Sequence, residues 1–374
     1  MSKIPIVPMS WDAIERRAGF DGTRRIVERD VLPQLANAKA RIQEMNPING
    51  TYGPGCFVGM VALMLAFVLS SALGIFGFII AGVIGWFVGK PLILKMAARY
   101  MRGMVDDLAF RHEVFSPLAT HLGLEYVAAP GGSMGIIQQQ SMEGPFQEAF
   151  RELGEAFEKY GGQDEAVAAA RASGLVELAT VIHIGNADEE TKKARETGLT
   201  RLEDGFAGDH SGLHFDAFEV VRSSRRTDDG KTYPAEHALL LVLQLPRLLQ
   251  GTTQFRSRKV GWHRPGDAER LEDVNLESTE FADRFRVRSN DQVEARFVFT
   301  PDVMARVTEL AHGEDIRATA QAEHLVFAIE GPNRFDLTSA DTGLEGDEAV
   351  RLAVQQIGEM LDLVEAVSGA FGIS

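Results

Sequence analysis

The chain has 374 residues, a formal net charge of −15 and a single cysteine. Acidity of that size is repelled by phosphate backbones and argues against nucleic-acid binding, and one cysteine excludes both an internal disulfide and a CxxC metal or redox site. The length leaves room for more than one structural unit.

Residues 1–50 read as cytoplasmic helices. Ser10 is placed to N-cap a turn over Trp11–Arg17, and Ile26, Val27, Val31, Leu35 and Ile42 recur at near-helical spacing over Thr23–Met45, with Pro33 a point for a kink. Between Glu44 and Lys90 no side chain is charged. The 33 residues from Cys56 to Val88 would make one helix of ~50 Å, against a hydrocarbon core of ~30 Å. A transmembrane hairpin over 54–90, broken near Ser70-Ser71, is therefore expected, with the lipid bilayer as its partner through residues 56–88. Gly55 with Gly59, and Gly85 with Gly89, place one GxxxG on each span, where they would permit close helix packing. Lys39 and Arg41 precede the spans, and Lys90, Lys95, Arg99, Arg102 and Arg111 follow them. By the positive-inside tendency both termini and the remaining chain face the cytoplasm.

Residues 91–200 read as a helical region. Leu92–His121 is an amphipathic continuation ending at Gly123, and 145–196 is helical with breaks at Gly161-Gly162 and Gly185-Asn186. The pattern then changes to strands, and residues 201–340 read as an α+β domain of mostly antiparallel sheet with packed helices. Leu213, Phe215 and Ala217 alternate with polar neighbours, Asp228-Asp229-Gly230 is a turn, and Ala238–Leu245 is an apolar run short enough for a central strand. Thr252–Val260 alternates again. Phe285 and Val287 alternate with arginines, Ser289-Asn290-Asp291 turns the chain, and Val293, Ala295, Phe297 and Phe299 read as the inward row of a further strand. Thr300, Pro301 and Asp302 then cap and open a helix with Val303, Met304, Val307 and Leu310 as its buried stripe. His324–Glu330 and Arg334–Leu337 read as a hairpin across Gly331-Pro332-Asn333. In the segment 341–374, a final amphipathic helix over Asp347–Ser368 presents Val350, Val354, Ile357, Leu361 and Val364.

The stretch LESTEFADRFRVRSNDQVEARFVFTPDVMARV, Leu276–Val307, resembles the signature of domain-of-unknown-function family 3137. Phe281, Phe285 and Val287 match its F-x-x-x-F-x-V, Asp291 to Arg296 its D-x-V-E-A-R, and Thr300, Pro301 and Met304 its turn, with Phe297 and Phe299 departing from the pattern. Glu203–Gly208 is similar to its E-D-x-x-x-G lead. The resemblance covers roughly residues 50–340. It implies a protein of the bacterial inner membrane with no assigned reaction, and a LemA-type membrane protein as a partner.

Candidate chemistry is sparse. If His210, His214 and Asp216 lie on one strand, residues two and four apart share a face and the three converge on one metal ion, with His237 or His263 as a fourth ligand. A polar outward row beside a buried Leu213/Phe215 row accounts for the same residues. Gly131-Gly132-Ser133-Met134-Gly135 matches G-x-S-x-G, with Glu125–Ala128 readable as a strand before it and Ile136–Gln140 as a helix start after it. The chain has no HGGG-type loop and no alternating βα units, and the stretch reads as a glycine loop. Glu294 and Arg296, two apart on the expected strand, offer a polar binding face. With no phosphate loop or HExxH present, no cofactor is expected. The sequence therefore predicts a membrane-anchored binding or adaptor module rather than an enzyme. A tethered metal-dependent hydrolase and a homo-oligomeric scaffold are the alternatives.

Overall fold

Six consecutive apolar side chains, Ala238 to Leu243, are all buried, which requires a strand covered on both faces rather than one. The computed structural model describes residues 7–37, 90–131, 145–173, 175, 200–222, 225–226, 232–233, 236–260, 271–276, 279–335, 337, 344 and 346–373. The expected spans at 56–88, with Gly55, Gly59, Gly85 and Gly89, lie outside those residues. Among the described residues no helix is long and apolar enough to cross a membrane.

In chain order the helices are α1 (Trp11–Ile14), α2 (Thr23–Ile26), α3 (Lys90–His121), α4 (Pro145–Tyr160), α5 (Asp164–Ala172), α6 (Thr279–Arg284), α7 (Gln292–Val298), α8 (Pro301–Ala311) and α9 (Asp347–Ala370). The main sheet is built from β1 (Glu125–Val127), β2 (Thr200–His210), β3 (Leu213–Arg222), β4 (Glu236–Gln244), β5 (Thr253–Ser257), β6 (Glu272–Val274), β7 (Phe285–Ser289), β8 (Ile316–Gln321) and β9 (His324–Gly331). Its nine strands lie in the order β1-β2-β3-β4-β9-β8-β5-β7-β6. Every neighbouring pair is antiparallel. The protein is thus a mixed α+β molecule with a large antiparallel sheet.

The chain divides into two units. One contains residues 1–36, 111–134 and 161–374; the other contains 37–110 and 135–160. In the second unit Arg102 reaches from α3 to Glu148 (3.4 Å) and Glu152 (3.0 Å) of α4.

In the first unit, Phe218 and Val220 of β3, Leu240 and Val242 of β4, and Val326 and Ala328 of β9 form one apolar core with Ala166, Val167 and Ala170 of α5. The alternate row, including Ala217, Leu239, Leu241 and Phe327, is equally buried. Near-continuous apolar strands are what a sheet covered on both faces demands. Helix α9 contacts α1, α7, α8 and the strands β2 and β3, and it is buried nearly all round. Its outer side is closed by the N-terminal segment. Trp11 donates its indole N–H to Asp347 (2.8 Å), Arg17 pairs with Asp362, and Arg351 donates to the Met9 carbonyl (3.0 Å).

Several elements match their sequence signals. Ser10 accepts from the Ala13 N–H and Thr300 from the Val303 N–H, with Pro301 and Asp302 in the first turn of α8. Pro33 follows a π-helical turn, Val27–Val31. The wider turn relieves the clash of its ring with the carbonyl four residues back.

Two expectations are corrected. The segment 293–299 is not a strand but helix α7, because Asp291 accepts from the Val293 and Glu294 N–H groups (both 2.9 Å) and starts a helix there. Val293, expected inward, is 78% exposed. The strand at 324–331 pairs with β8 and β4 rather than with 334–337. Its hairpin turn is at Ala322-Glu323, with Ala322 at φ 51, and Asn333, Arg334 and Phe335 are buried beyond its end.

Candidate functional site

A cleft of about 880 Å³ opens where α5 meets the sheet, within the first unit. One wall is made of small apolar side chains, Ala166, Ala169 and Ala172 of α5 with Val127 and Val242. Most of the rest is polar: Glu125 of β1, Gln163 with Asp164 and Glu165 at the start of α5, His214 and Asp216 of β3, Gln244 of β4, and Glu323 and His324 at the β8–β9 turn.

The register explains the gathering of polar groups. Asp209 pairs with His214 across the β2–β3 hairpin, and Gln244 with His324 across β4 and β9. Asp216 pairs with Ala207 and Val242 on the same face as the α5 core. Beyond the last turn of core packing the face turns polar.

His214 sits between two carboxylates, with Nδ1 3.1 Å from Asp209 and Nε2 3.4 Å from Asp216. A neutral imidazole can donate to one of them; the doubly protonated ring donates to both. Burial pushes the Asp216 carboxyl above its ordinary range, and the His214 charge and hydrogen bonds from Gln163 and His214 act against that rise. Gln163, the N-cap of α5, has a left-handed backbone (φ 62) and donates through Nε2 to the Phe206 carbonyl (3.1 Å). That contact depends on Gly205 at the β2 bulge. A Cβ there would stand 2.2 Å from Gln163 Oε1 and 2.9 Å from Pro130 Cγ.

The residues read as a metal set are only partly assembled. His214 and Asp216 meet, but a hairpin turn at Ser211-Gly212 separates them from His210. His210 pairs with Leu213, which places it on the opposite face from His214. His237 lies at the far end of β4, and His263 lies outside the described residues. Among the described residues no three His, Cys, Asp or Glu side chains are grouped to hold a metal ion. Of the G-x-S-x-G stretch only Gly131 is described.

Glu294 and Arg296 stand on α7, not on a strand face. Glu294 accepts from the Gln250 N–H (3.0 Å) and the Gly251 N–H (2.8 Å), latching the loop after β4, while Arg296 donates to the Gln292 carbonyl (3.0 Å). Gly251 is needed for that approach, since a Cβ would lie 2.6 Å from Asp291 Cβ.

A second polar cluster was missed in the sequence. Asp204, at φ 45 in the β2 bulge, accepts from Tyr126 and from Arg111 (3.2 Å). Glu219 is fully buried, accepts from the Arg334 N–H (2.6 Å), and has its carboxyl pushed well above the ordinary range by burial. Arg334 donates to the Ile329 and Glu330 carbonyls (3.3 and 3.0 Å). The only local signal was a glutamate in an otherwise inward-reading position next to Phe218 and Val220.

No protein with a curated description matches the chain. Among solved structures, the crystal structure of the mycobacterial trehalose monomycolate transport factor A, TtfA, matches at 14% identity, covering 52% of this chain and 95% of that one, with a TM-score of 0.23. A likeness that low carries no argument about this chain. A family model described as "Protein of unknown function (DUF3137)" matches residues 238–368. That match runs from β4 to α9, so it takes in the C-terminal helix and leaves out the segment before 238. From its central strand to its last helix, this chain resembles the DUF3137 family.

Proposed function

We propose that the chain is a non-enzymatic binding module tethered to the bacterial inner membrane, with the cleft beside α5 as its recognition site. The tether is the charge-free run from Cys56 to Val88, folded as two spans with both termini and the α+β unit on the cytoplasmic side. The observation that carries the binding role is the cleft itself: concave, half apolar, and lined by a few converging polar groups, the usual character of a ligand site. Glu125, Asp216 and Glu323 line it, so it suits a cationic group, such as a lysine- or arginine-bearing segment of a partner protein, with its aliphatic stem against the alanines of α5. A LemA-type membrane protein is the first partner to look for, and self-association through the glycine-lined spans is the other way an assembly would form.

The test is detergent extraction from native membranes, affinity purification, and identification and mass of what co-purifies, with the wild-type chain beside Ala169→Trp. A stoichiometric partner that the tryptophan displaces supports the reading. A partner retained equally by both forms removes the cleft from it, and a monomer without companions ends the adaptor role. Release of the chain from membranes by alkaline carbonate would end the tether.

A further inference from the structure

The cleft beside α5 is lined by five carboxylates, those of Glu125, Asp164, Glu165, Asp216 and Glu323, and none of its described lining residues is a lysine or an arginine. Strand register fixes two of the five relative to one another. Glu125 of β1 pairs with Ala207 of β2, and Ala207 in turn pairs with Asp216 of β3. Residues directly opposite share a face of the sheet, so the two acids flank one methyl group in a single cross-strand row. Two strand spacings set their backbones about 10 Å apart.

The two acids differ in setting. The Asp216 side chain is only 14% exposed, with His214 Nε2 at 3.4 Å and a hydrogen bond from Gln163. Burying that carboxylate as an anion is costly, and a cation held against it offsets the cost. Glu125 is exposed and stands on the edge strand. The wall beside them is aliphatic, made by Ala207 with Ala166, Ala169 and Ala172. Among the described lining residues there is no phenyl, phenol or indole ring. A guanidinium is held best by stacking on such a ring, or by a carboxylate that presents both oxygens as a fork. Asp216 already accepts from Gln163 and faces His214, so it is poorly placed to act as that fork. An ammonium is a compact charge with three rotatable donors, and single oxygens from separate strands, such as Asp216 of β3 and Gln244 of β4, suit it.

We propose that the cleft selects ammonium groups on unbranched aliphatic stems, one held at Asp216 and a second at Glu125, in preference to guanidinium groups. The proposal rests on the cleft being the recognition site, and it names the chemistry that the site reads, with Asp216 setting the preference. Lysine side chains of a partner protein and a linear polyamine offer the same groups.

The test is calorimetric titration of the full chain in a neutral detergent with three probes: acetyl-Lys-Ala-Lys amide, the same peptide with arginine at both lysine positions, and spermidine. The wild type is compared with Asp216→Asn, Glu125→Gln, Ala169→Trp and, as a charge control on the exposed side of α4, Glu158→Gln. The lysine peptide or spermidine is expected to bind at least about fivefold more tightly than the arginine peptide. Asp216→Asn should weaken that binding about tenfold or more, since a charge-assisted hydrogen bond is lost. Glu125→Gln should weaken it less, Ala169→Trp should abolish it, and the control should leave it unchanged. Tighter binding of spermidine identifies a polyamine as the source, and tighter binding of the lysine peptide identifies a partner's lysines. An arginine peptide that binds as tightly as the lysine peptide overturns the proposal while leaving the cleft a cation site. Absence of binding by all three probes overturns it together with the cationic reading of the cleft. Binding that Asp216→Asn and Glu125→Gln leave unchanged, or that falls equally in the control, also overturns it. Circular dichroism of each variant shows that the fold is retained; Glu125→Gln, at an exposed edge position, keeps the test open should Asp216→Asn disturb the sheet.

Discussion

Glu219 shows how far a single side chain can depart from its sequence reading. Its position on β3 continues the row of Leu213, Phe215 and Ala217 that reads as inward, and both faces of β3 are covered, so the carboxyl is enclosed. Burial is the largest cause of its raised pKa, with Asp204 and Glu203 adding to the rise and the Arg334 N–H and guanidinium opposing it. The native state therefore holds the proton more tightly than the unfolded chain does. Between the unfolded value near 4.5 and the higher native value, folding takes up a proton, and stability from this group falls as pH rises. Below 4.5 that contribution is fully present. Glu219→Gln, which cannot ionise, should gain stability relative to the wild type as pH increases from about 4.5 through neutrality. Denaturation midpoints measured across that range check it; a difference between the two proteins that stays constant would show that Glu219 titrates normally.

At the scale of elements, α7 turns on four residues. Asp291 and Glu294 have the spacing of a capping box, in which the first caps the helix and the fourth reaches back to close the entry. Here Asp291 caps α7, but Glu294 reaches instead to the Gln250 and Gly251 N–H groups and joins the helix to the loop after β4. Alternation of Val293, Ala295, Phe297 and Phe299 suggests a strand, whereas burial of Ala295, Val298 and Phe299 follows helical spacing. The two arrangements make opposite predictions. Val293→Lys should change stability by no more than about 0.5 kcal/mol, being on the exposed side, while Ala295→Lys should cost about 3 kcal/mol by placing a charge in the core. Asp291→Ala should cost about 1 kcal/mol through loss of the cap. Urea denaturation of the three variants decides it: a Val293→Lys protein as unstable as Ala295→Lys would restore the strand.

For the whole molecule, the consequential contact is between the chain's two ends. Helix α9 is covered on one side by the segment from Met9 to Arg17, and Trp11 joins the first helix to Asp347 at the start of the last. Gly358 makes room for Arg17 to pass to Asp362, a Cβ there standing 3.0 Å from Arg17 Cδ. Loss of the segment would expose the apolar stripe of α9 that it covers. Trp11→Ala is expected to cost about 3 kcal/mol or more, the usual range for deleting a buried aromatic, and to raise proteolytic cleavage within α9. Limited proteolysis followed by mass mapping reads this directly; cleavage confined to residues before Trp11 would mean that the two ends do not support each other.

What the sequence determined by itself is local. Helix caps at Ser10 and Thr300, the stop after Ala311, the amphipathic run of α9 and the buried strand from Ala238 to Leu243 all follow from contacts a few residues apart or from unbroken apolar composition. The charge-free run at 56–88 rests on composition in the same way. Tertiary structure alone decided the rest. The insertion of β8 and β9 between β4 and β5, the polar and glycine-bearing strand β2, and the enclosure of Glu219 depend on partners far away in the chain. So does the candidate site: His214 and Asp216 were legible as a pair two residues apart. Their meeting with Glu125, Gln163 and His324, and the exclusion of His210, come from strand register, which no neighbouring residue encodes. A period of two says that a side chain changes face at each step; which face receives a helix, and which opens as a cleft, is settled only when the whole sheet has found its order.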